Sequence, residues 1–205
     1  SGFGIGVSGA INNIDGAVKE TTTTGSADLG AVNTNSTNLN NDLVPMASIY
    51  AEYSFESMSG LTIGGEFIPG SVDISDKLQK RLETPASGSN EGVDTTFSAN
   101  GAVENLRNFY IEVPIVNMMY AKVGYSMIDV ITNESASIAK YGNESDIGGI
   151  NLGLGIKSDI GNNLHYKLAY ELTNFDNVTI KNTNGNSVSG DIDTRGIKMS
   201  LGYKF

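Results

Sequence analysis

Residues 196–205 read GIKMSLGYKF, and this closing stretch decides the fold class. The residues alternate in polarity throughout, with Gly196, Lys198 and Ser200 on the polar face. The other face holds Ile197, Met199, Leu201, Tyr203 and Phe205. A period of two predicts a β-strand. A wholly apolar face opposite one that carries lysines is typical of transmembrane β-barrels, which have lipid outside and polar side chains inside.

Seven further segments alternate in the same way, and no charged residue falls on their apolar faces. They lie at about 3–11, 47–55, 61–67, 109–115, 119–127, 150–156 and 164–172. Counted with their flanking residues, the segments each span roughly 9–11 residues, the length that a tilted strand needs to cross a membrane. The pattern predicts an all-β fold, a closed antiparallel eight-stranded transmembrane barrel, with residues 1–205 as a single domain.

The connections between these segments alternate between long and short. The long ones lie at about 12–45, 70–106, 129–147 and 174–194, and the short ones at 56–60, 116–118 and 158–163. This alternation is typical of outer-membrane barrels, with long extracellular loops and short periplasmic turns. A soluble sandwich or a soluble ligand-binding barrel is the alternative, but structureless loops of this length are unusual in compact soluble domains.

Composition excludes several classes of protein. The chain has 205 residues, a net charge of −10 and no cysteine. Acidic chains do not bind nucleic acid well, and the lack of cysteine excludes disulfides, thiol chemistry and Cys-ligated metals. We predict no cofactor. The acidic residues concentrate in the four long connections. Because the chain enters a strand almost at once, we expect a mature form whose signal peptide has been removed.

A polar network is predicted inside the barrel. Its members are the inward-facing charged residues Glu52, Glu66, Glu112, Lys122, Lys157, Lys167, Glu171 and Lys198. We expect two ion pairs, Glu112–Lys122 and Glu171–Lys198. We also expect Glu52 and Glu66 to face each other and to recruit Lys122 or Lys198. The network is either a packed plug or a gated pore, and an interior only wide enough for side chains favours the plug.

Other candidate sites give weaker signals. The lone His165 faces inward but has no serine motif beside it, so we predict no catalysis. The Asn/Asp residues in 182–193 do not match a calcium-loop spacing, so a cation site there stays a minor alternative. Residues 75–83 could form a short helix. An aromatic girdle at the short-turn end is predicted from Phe3, Tyr53, Phe55, Tyr166, Tyr203 and Phe205.

The ending Gly202-Tyr203-Lys204-Phe205 and the strand pattern resemble the small eight-stranded bacterial outer-membrane barrels of the OmpA/OmpX/OmpW-like group. Ser200 stands where that group usually has glycine. The resemblance implies a Gram-negative outer membrane, contact with its lipid, and insertion by the barrel-assembly machinery, with Tyr203 and Phe205 as part of the assembly signal. It implies no single function, since members include anchors, adhesins, conduits and a few enzymes.

We therefore expect a non-enzymatic surface protein with acidic extracellular loops that contact an extracellular or neighbouring envelope partner. The alternative is a narrow conduit for small solutes or hydrophobic molecules.

Overall fold

The computed structural model describes residues 2–24, 31–74, 79–83, 95–135, 141–181 and 186–205. These residues form ten β-strands and one short 3-10 helix, Glu56–Met58. The strands are β1 (Gly2–Thr24), β2 (Ala31–Phe55), β3 (Leu61–Asp73), β4 (Gln79–Glu83), β5 (Thr95–Pro114), β6 (Met119–Ser135), β7 (Glu144–Ile160), β8 (Leu164–Phe175), β9 (Val178–Lys181) and β10 (Ser187–Lys204).

Eight of these strands close into an antiparallel barrel in the order β1-β2-β3-β5-β6-β7-β8-β10. Closure occurs where β10 pairs with β1, from Gly4 opposite Lys204 to Thr21 opposite Ser187. The predicted eight-stranded barrel is confirmed. Strands β4 and β9 lie outside the ring, on β5 and β10 respectively. We call the end of the barrel with the short turns the inner end and the opposite end the outer end.

The strands are longer than predicted, and the predicted extent of the long loops is wrong. β1 and β2 pair until Thr24 lies opposite Ala31, so strand occupies most of the connection expected at 12–45. Strands likewise occupy 95–106, 129–135 and 187–194. Beyond the apolar segments both faces of these strands are polar or mixed, so the alternation that reveals a half-buried strand disappears.

The predicted helix at 75–83 is also wrong where it can be tested. Residues 75–78 lie outside the described residues, but Gln79–Glu83 is strand β4, paired with Thr95–Ala99 of β5. Helix propensity is a weak local preference, and pairing with a neighbouring strand overrides it here.

Four register shifts lie near the outer border of the apolar segments. They fall at Asn12/Ile14, Ile68/Ser71, Glu104/Arg107 and Ile128/Val130. Each has a nearby residue with positive φ: Leu43, Gly70, Asn105 and Asp146. Such bulges bend a strand and increase its twist. They therefore mark the level at which the barrel wall continues into the outer hairpins.

One seam of the wall is short. β2 pairs with β3 only from Ile49 opposite Phe67 to Phe55 opposite Leu61. The register of β1 with β2, by contrast, extends from Gly2 to Thr24. Among the described residues, the part of β2 above Ile49 pairs with β1 alone.

The outside of the barrel carries a continuous apolar belt. Its exposed side chains include Phe3, Ile5, Val7, Ile49, Ile63, Phe67, Phe109, Ile111, Val123, Ile150, Leu152, Leu154, Leu168, Tyr170, Leu172, Ile197, Met199 and Leu201. Monomeric water-soluble proteins do not expose an apolar surface of this extent. None of the described residues builds a helix long and apolar enough to cross a membrane.

The interior changes character along the barrel axis. At the outer end it is an apolar core of Ile14, Val44, Ile74, Val103, Ile128, Val130, Phe175, Val178, Ile180 and Ile192. At the inner end the buried side chains are polar or charged. A neutral layer lies between them, in which Asn151 Nδ2 donates to Thr173 Oγ1 at 2.9 Å and Ser126 Oγ donates to Asn108 Oδ1 at 3.2 Å.

Candidate functional site

Three buried tyrosines fill much of the inner half of the lumen, and glycines on neighbouring strands make room for them. Tyr50 lies opposite Gly6, Tyr110 opposite Gly64 and Tyr120 opposite Gly155. A Cβ at Gly6 or Gly64 would lie 2.4 Å from the facing ring. Aromatic rings that cover glycines are a known device for fixing sheet register. The tyrosines were not predicted as site residues, because the Tyr–Gly pairing becomes visible only when the strand register is known.

Four charged side chains form a closed ring of alternating sign, which we call the first ring. Lys198 Nζ lies 2.7 Å from Glu66 Oε2 and 3.0 Å from Glu171 Oε2. Lys122 Nζ lies 2.7 Å from Glu171 Oε1 and 3.7 Å from Glu66 Oε2. Ser48 Oγ adds a hydrogen bond to Glu66 at 2.6 Å. Each carboxylate thus contacts two ammonium groups, which compensates the cost of burying the charges.

A second ring of the same type lies beside it. Lys167 Nζ donates to Glu52 and, at 2.7 Å, to Glu112 Oε1. Lys157 Nζ lies 3.0 Å from Glu52 Oε1 and 3.7 Å from Glu112 Oε2. Tyr110 Oη donates to Glu52 Oε2 at 3.1 Å. Two glutamates and two lysines make this ring neutral as well.

The predicted pairs are met only in part. Glu171 and Lys198 are 3.0 Å apart, but Gly196, not Lys198, lies directly opposite Glu171. The Glu112–Lys122 pair is wrong. The two residues are opposite in register, yet Lys122 contacts Glu171 and Glu66 while Glu112 contacts Lys167 and Lys157. In a barrel this narrow, long side chains reach across the lumen, so strand neighbours do not determine ion pairs.

The predicted contact between Glu52 and Glu66 is also wrong. Glu66 lies opposite Tyr50, and Glu52 lies opposite Gly64. Glu66 does recruit Lys198 and Lys122, whereas Glu52 takes Lys167 and Lys157. The two carboxylates therefore belong to different rings, and like charges are kept apart.

The rings leave almost no free space. The cavity that both rings line has a volume of about 10 Å³, close to the minimum that holds one water molecule. The lysines also lie against aromatic rings, with Lys122 Nζ 4.4 Å from the centre of Tyr110 and Lys167 Nζ 5.0 Å from that of Tyr50. The lumen is packed at this level. Glu112 Oε2 is buried there without a hydrogen-bond donor.

His165 is fully buried beside the second ring. Its Nε2 lies 3.1 Å from Tyr50 Oη and 3.3 Å from Glu52 Oε1, and its Nδ1 has no partner. The inward serines have other partners: Ser200 bonds to Ser8, Ser126 to Asn108 and Ser54 to Thr62. The structure thus does not join His165 to a serine nucleophile among the described residues.

Beyond the belt, carboxylates are held by amide and guanidinium donors. Asp129 accepts from the backbone N–H of Asp146 at 3.1 Å, from Asn105 Nδ2 at 3.0 Å and from Arg107 at 3.1 Å. The Asp146 N–H, then the Asn105 amide and the Arg107 charge, hold the pKa of Asp129 below its usual range. On the opposite wall, Asn40 donates to Asp15 at 2.9 Å. No cluster of possible metal ligands occurs in the part of the chain that the structure describes.

The two ends of the chain meet in the closing seam. The N–H of Phe205 donates to the carbonyl of Phe3 at 2.9 Å, and the two rings stack with centroids 6.0 Å apart. Tyr203 contacts Phe205 edge-on. The role of Tyr203 and Phe205 as an assembly signal stays a prediction.

The fold and site together define a closed β-barrel with an apolar outer surface and a packed, charge-balanced interior. No protein-family model and no curated relative matches the chain. Similar solved structures include the outer membrane protease OmpT of Escherichia coli, at 8% identity over 100% of this chain and 97% of that one, with a TM-score of 0.49.

Two further structures are similar over the full length. The outer membrane protein OprG of Pseudomonas aeruginosa is 13% identical over 100% of this chain and 96% of that one, with a TM-score of 0.46. Ail, the attachment invasion locus protein of Yersinia pestis, is 13% identical over 98% and 99%, with a TM-score of 0.45.

Proposed function

We propose that this protein is a bacterial outer-membrane barrel that displays its outer hairpins as a contact surface and does not conduct. The observation that carries this proposal is the filled lumen, where two neutral ion-pair rings and three tyrosines leave a cavity of about 10 Å³. Because the interior serves packing, the specific chemistry of the molecule lies on its exposed outer hairpins. Recognition commonly uses such projecting segments on a rigid scaffold.

Membrane placement follows from the belt. Its apolar side chains are exposed around the barrel. Every strand of the barrel pairs with two neighbours at the level of the belt, so the backbone groups there are bonded within the protein. Only such closed structures cross lipid as strands. Leu154→Arg should cost about 2–4 kcal/mol near the bilayer midplane. Denaturant titration in lipid vesicles measures this cost, and an unchanged midpoint would contradict the placement.

The conduit is the alternative function, and planar-bilayer recording separates it from a plugged barrel. The wild-type protein should show no steady conductance. A Tyr110→Ala/Tyr120→Ala variant removes two aromatic side chains from the lumen and keeps all eight residues of the two ion-pair rings. When folded, this variant should conduct, and it provides the positive control. Porin-sized steady conductance in the wild type would overturn the plug.

The proposed contact surface is acidic. Its exposed carboxylates include Asp42, Asp73, Glu144, Asp176 and Asp191 on the outer hairpins. A dense negative surface favours a basic partner and long-range attraction that salt weakens. Residues 25–30, 75–78, 84–94, 136–140 and 182–185 of the long connections lie outside the described residues. The competing interpretation is a solvated acidic coat that only prevents contact.

Charge neutralisation tests this surface with the barrel left intact. The five carboxylates change to Asn or Gln in one variant, and the matched control is Asp159→Asn at the inner end. Native cells producing each variant are compared for detergent sensitivity and for basic proteins that co-purify. We expect increased detergent sensitivity and loss of the co-purifying basic proteins only in the five-site variant. Equal behaviour of all variants would support the coat and contradict the contact surface.

We also propose that the protein is not an enzyme. His165 is its single histidine, and its contacts are with Tyr50 and Glu52 inside the plug. Substrate has no route to a side chain that is 0% exposed. Hydrolase activity that His165→Asn abolishes, with an unchanged unfolding midpoint, would contradict this.

A further inference from the structure

The short turns at the inner end differ sharply in chemistry. The β5–β6 turn, residues 115–118, reads IVNM, and we call it the apolar turn. Its Val116 and Met118 side chains are 58% and 51% exposed. The β7–β8 turn, residues 161–163, reads GNN, and we call it the polar turn. In the polar turn, Asn163 Nδ2 donates to the carbonyl of Lys204 at 2.9 Å.

The two turns differ in reach as well as in polarity. The N–H of Lys157 donates to Met118 O at 2.8 Å, so this residue of β7 lies beside the apolar turn. Strand β7 continues to Ile160 before the polar turn begins. The polar turn therefore lies further from the plug than the apolar turn.

Three backbone groups of the apolar turn are bonded within the protein. The N–H of Ile115 donates to Met119 O at 2.9 Å, that of Met119 to Val116 O at 2.8 Å, and that of Lys157 to Met118 O at 2.8 Å. Asn117 has a φ of 50°, a conformation that asparagine tolerates well. The turn therefore suits the hydrated headgroup boundary and not the hydrocarbon core, where every backbone group needs a partner within the protein.

The apolar turn also continues the belt without interruption. Val113 and Ile115 extend the exposed row of Phe109 and Ile111 on β5, and Met119 extends the row on β6. The opposite part of the inner rim ends differently. That part carries the aromatic rings of Phe3, Tyr53, Tyr203 and Phe205 and, on Lys204, an ion pair with Asp159. Aromatic rings of this kind mark the membrane–water interface.

We propose that the apolar turn is a lipid anchor. Its Ile115, Val116 and Met118 side chains insert into the boundary between headgroups and acyl chains of the inner leaflet, whereas the polar turn stays in water. This inference rests on the proposed membrane placement. The occupant is lipid because the turn's surface is continuous with the belt.

Depth-dependent fluorescence quenching tests the anchor, and the absence of native cysteine makes the labelling unambiguous. Single-cysteine variants Met118→Cys, Asn162→Cys and Leu154→Cys carry a small fluorophore in phosphatidylcholine vesicles that contain lipid brominated near the headgroup or deep in the chain. The shallow quencher should act roughly twofold or more strongly on the Met118 label than on the Asn162 label, as expected for apolar groups buried about 5–10 Å into the interface.

The outcomes separate the two proposals. Equal quenching at Met118 and Asn162, with Leu154 strongly quenched by the deep probe, overturns the anchor and leaves the membrane barrel intact. An unquenched Leu154 label overturns the membrane barrel itself. Protection of the Met118 label that appears only at high protein-to-lipid ratio identifies a second copy as the occupant and also overturns the anchor.

A charge substitution provides an independent test. Val116→Asp/Met118→Asp should withdraw the turn from the headgroup boundary and change the orientation of the barrel, measured by polarised infrared dichroism of oriented bilayers. The matched control Asn162→Asp/Asn163→Asp should leave the dichroism unchanged. An Asp pair in the apolar turn that folds and keeps the wild-type dichroism contradicts the anchor.

Discussion

The inner and outer halves of the barrel interior are filled by different kinds of side chain. The inner half holds eight charged side chains in two neutral rings, and the outer half holds an apolar core around Ile14 and Ile128. The difference follows from what surrounds each half. The inner half lies behind the belt, where the wall is already apolar outside and bonded along every seam.

The outer half has no lipid around it. Its hairpins stand beyond the belt, so the only apolar environment available to Ile14, Val103 or Phe175 is the inside of the barrel. The charged rings give the inner half specific geometry, because each lysine needs its own two carboxylates. The apolar core gives the outer half stability through burial, as in a water-soluble domain. The molecule thus combines an inner half that is polar inside and apolar outside with an outer half that has an apolar core, as a water-soluble domain has.

The largest expected effect comes from leaving a ring unbalanced. Lys198→Met removes the ammonium that contacts both Glu66 and Glu171, and it should destabilise the barrel by about 3–5 kcal/mol because buried charge is left unpaired. Glu66→Gln/Lys198→Met keeps the Lys122–Glu171 pair at 2.7 Å and should cost less. Denaturant unfolding in vesicles measures both. A double variant less stable than Lys198→Met would contradict the closed ring.

A smaller effect should follow from filling the space under a tyrosine. Gly64→Ala places a Cβ 2.4 Å from the Tyr110 ring and should cost about 1–3 kcal/mol by overpacking. Gly9→Ala is the matched control, because a Cβ there meets nothing within 4 Å. The comparison of unfolding midpoints decides the point. Equal midpoints for the two variants would show that the Tyr110 side chain moves aside without cost.

The outer core should respond more mildly and locally. Ile14→Val removes one buried methylene and should cost about 0.5–1.5 kcal/mol, which raises protease cleavage of the outer hairpins about 2- to 12-fold. Ile11→Val, on the exposed belt face, is the control and should leave cleavage unchanged. Equal loss of belt stability, read from the unfolding midpoint in vesicles, would argue that the two halves are one cooperative unit.

The smallest effect should be the acid response of the outer rim. Asp129 has a folded pKa below its usual range. The stabilisation is therefore complete above the unfolded pKa of about 3.9 and is lost as the pH falls through the lower folded value. Protease cleavage near residues 129–146 should rise only below about pH 4. Asp129→Asn should abolish this step, and a step at higher pH would contradict the assignment.

The barrel was predictable because its belt shows strict alternation. Ile197 to Phe205 and the seven related segments each have one lipid-facing side, and this constraint is written directly into the sequence. The strand extensions were not predictable in this way, because residues such as those in 31–41 have polar side chains on both faces. Strand β4 was missed because it exists only through pairing with β5.

The members of the polar network were predictable, but their pairing was not. Inward position follows from the period of two, so Glu52, Lys122 and Lys198 could be assigned to the lumen from sequence. Which lysine meets which glutamate depends on barrel stagger and on side-chain reach across the lumen. That is why Lys122 contacts Glu171 and not its strand neighbour Glu112. The Tyr50–Gly6 type of pairing was readable once register was known.

Because the seam between β2 and β3 is short, the outer part of the β1–β2 hairpin, beyond Ile49, is attached to the wall mainly on the β10 side. Strands β1 and β2 stay paired far beyond the belt, whereas β2 is held to β3 only between Ile49 and Phe55. A sideways pull on the outer end of this hairpin is resisted on the β3 side by the hydrogen bond between Asn41 and the carbonyl of Asp73, and on the other side by the long β1–β10 seam. Mechanical load on the hairpin therefore passes mainly into the β1–β10 seam, while the edge that faces β3 can open with little resistance.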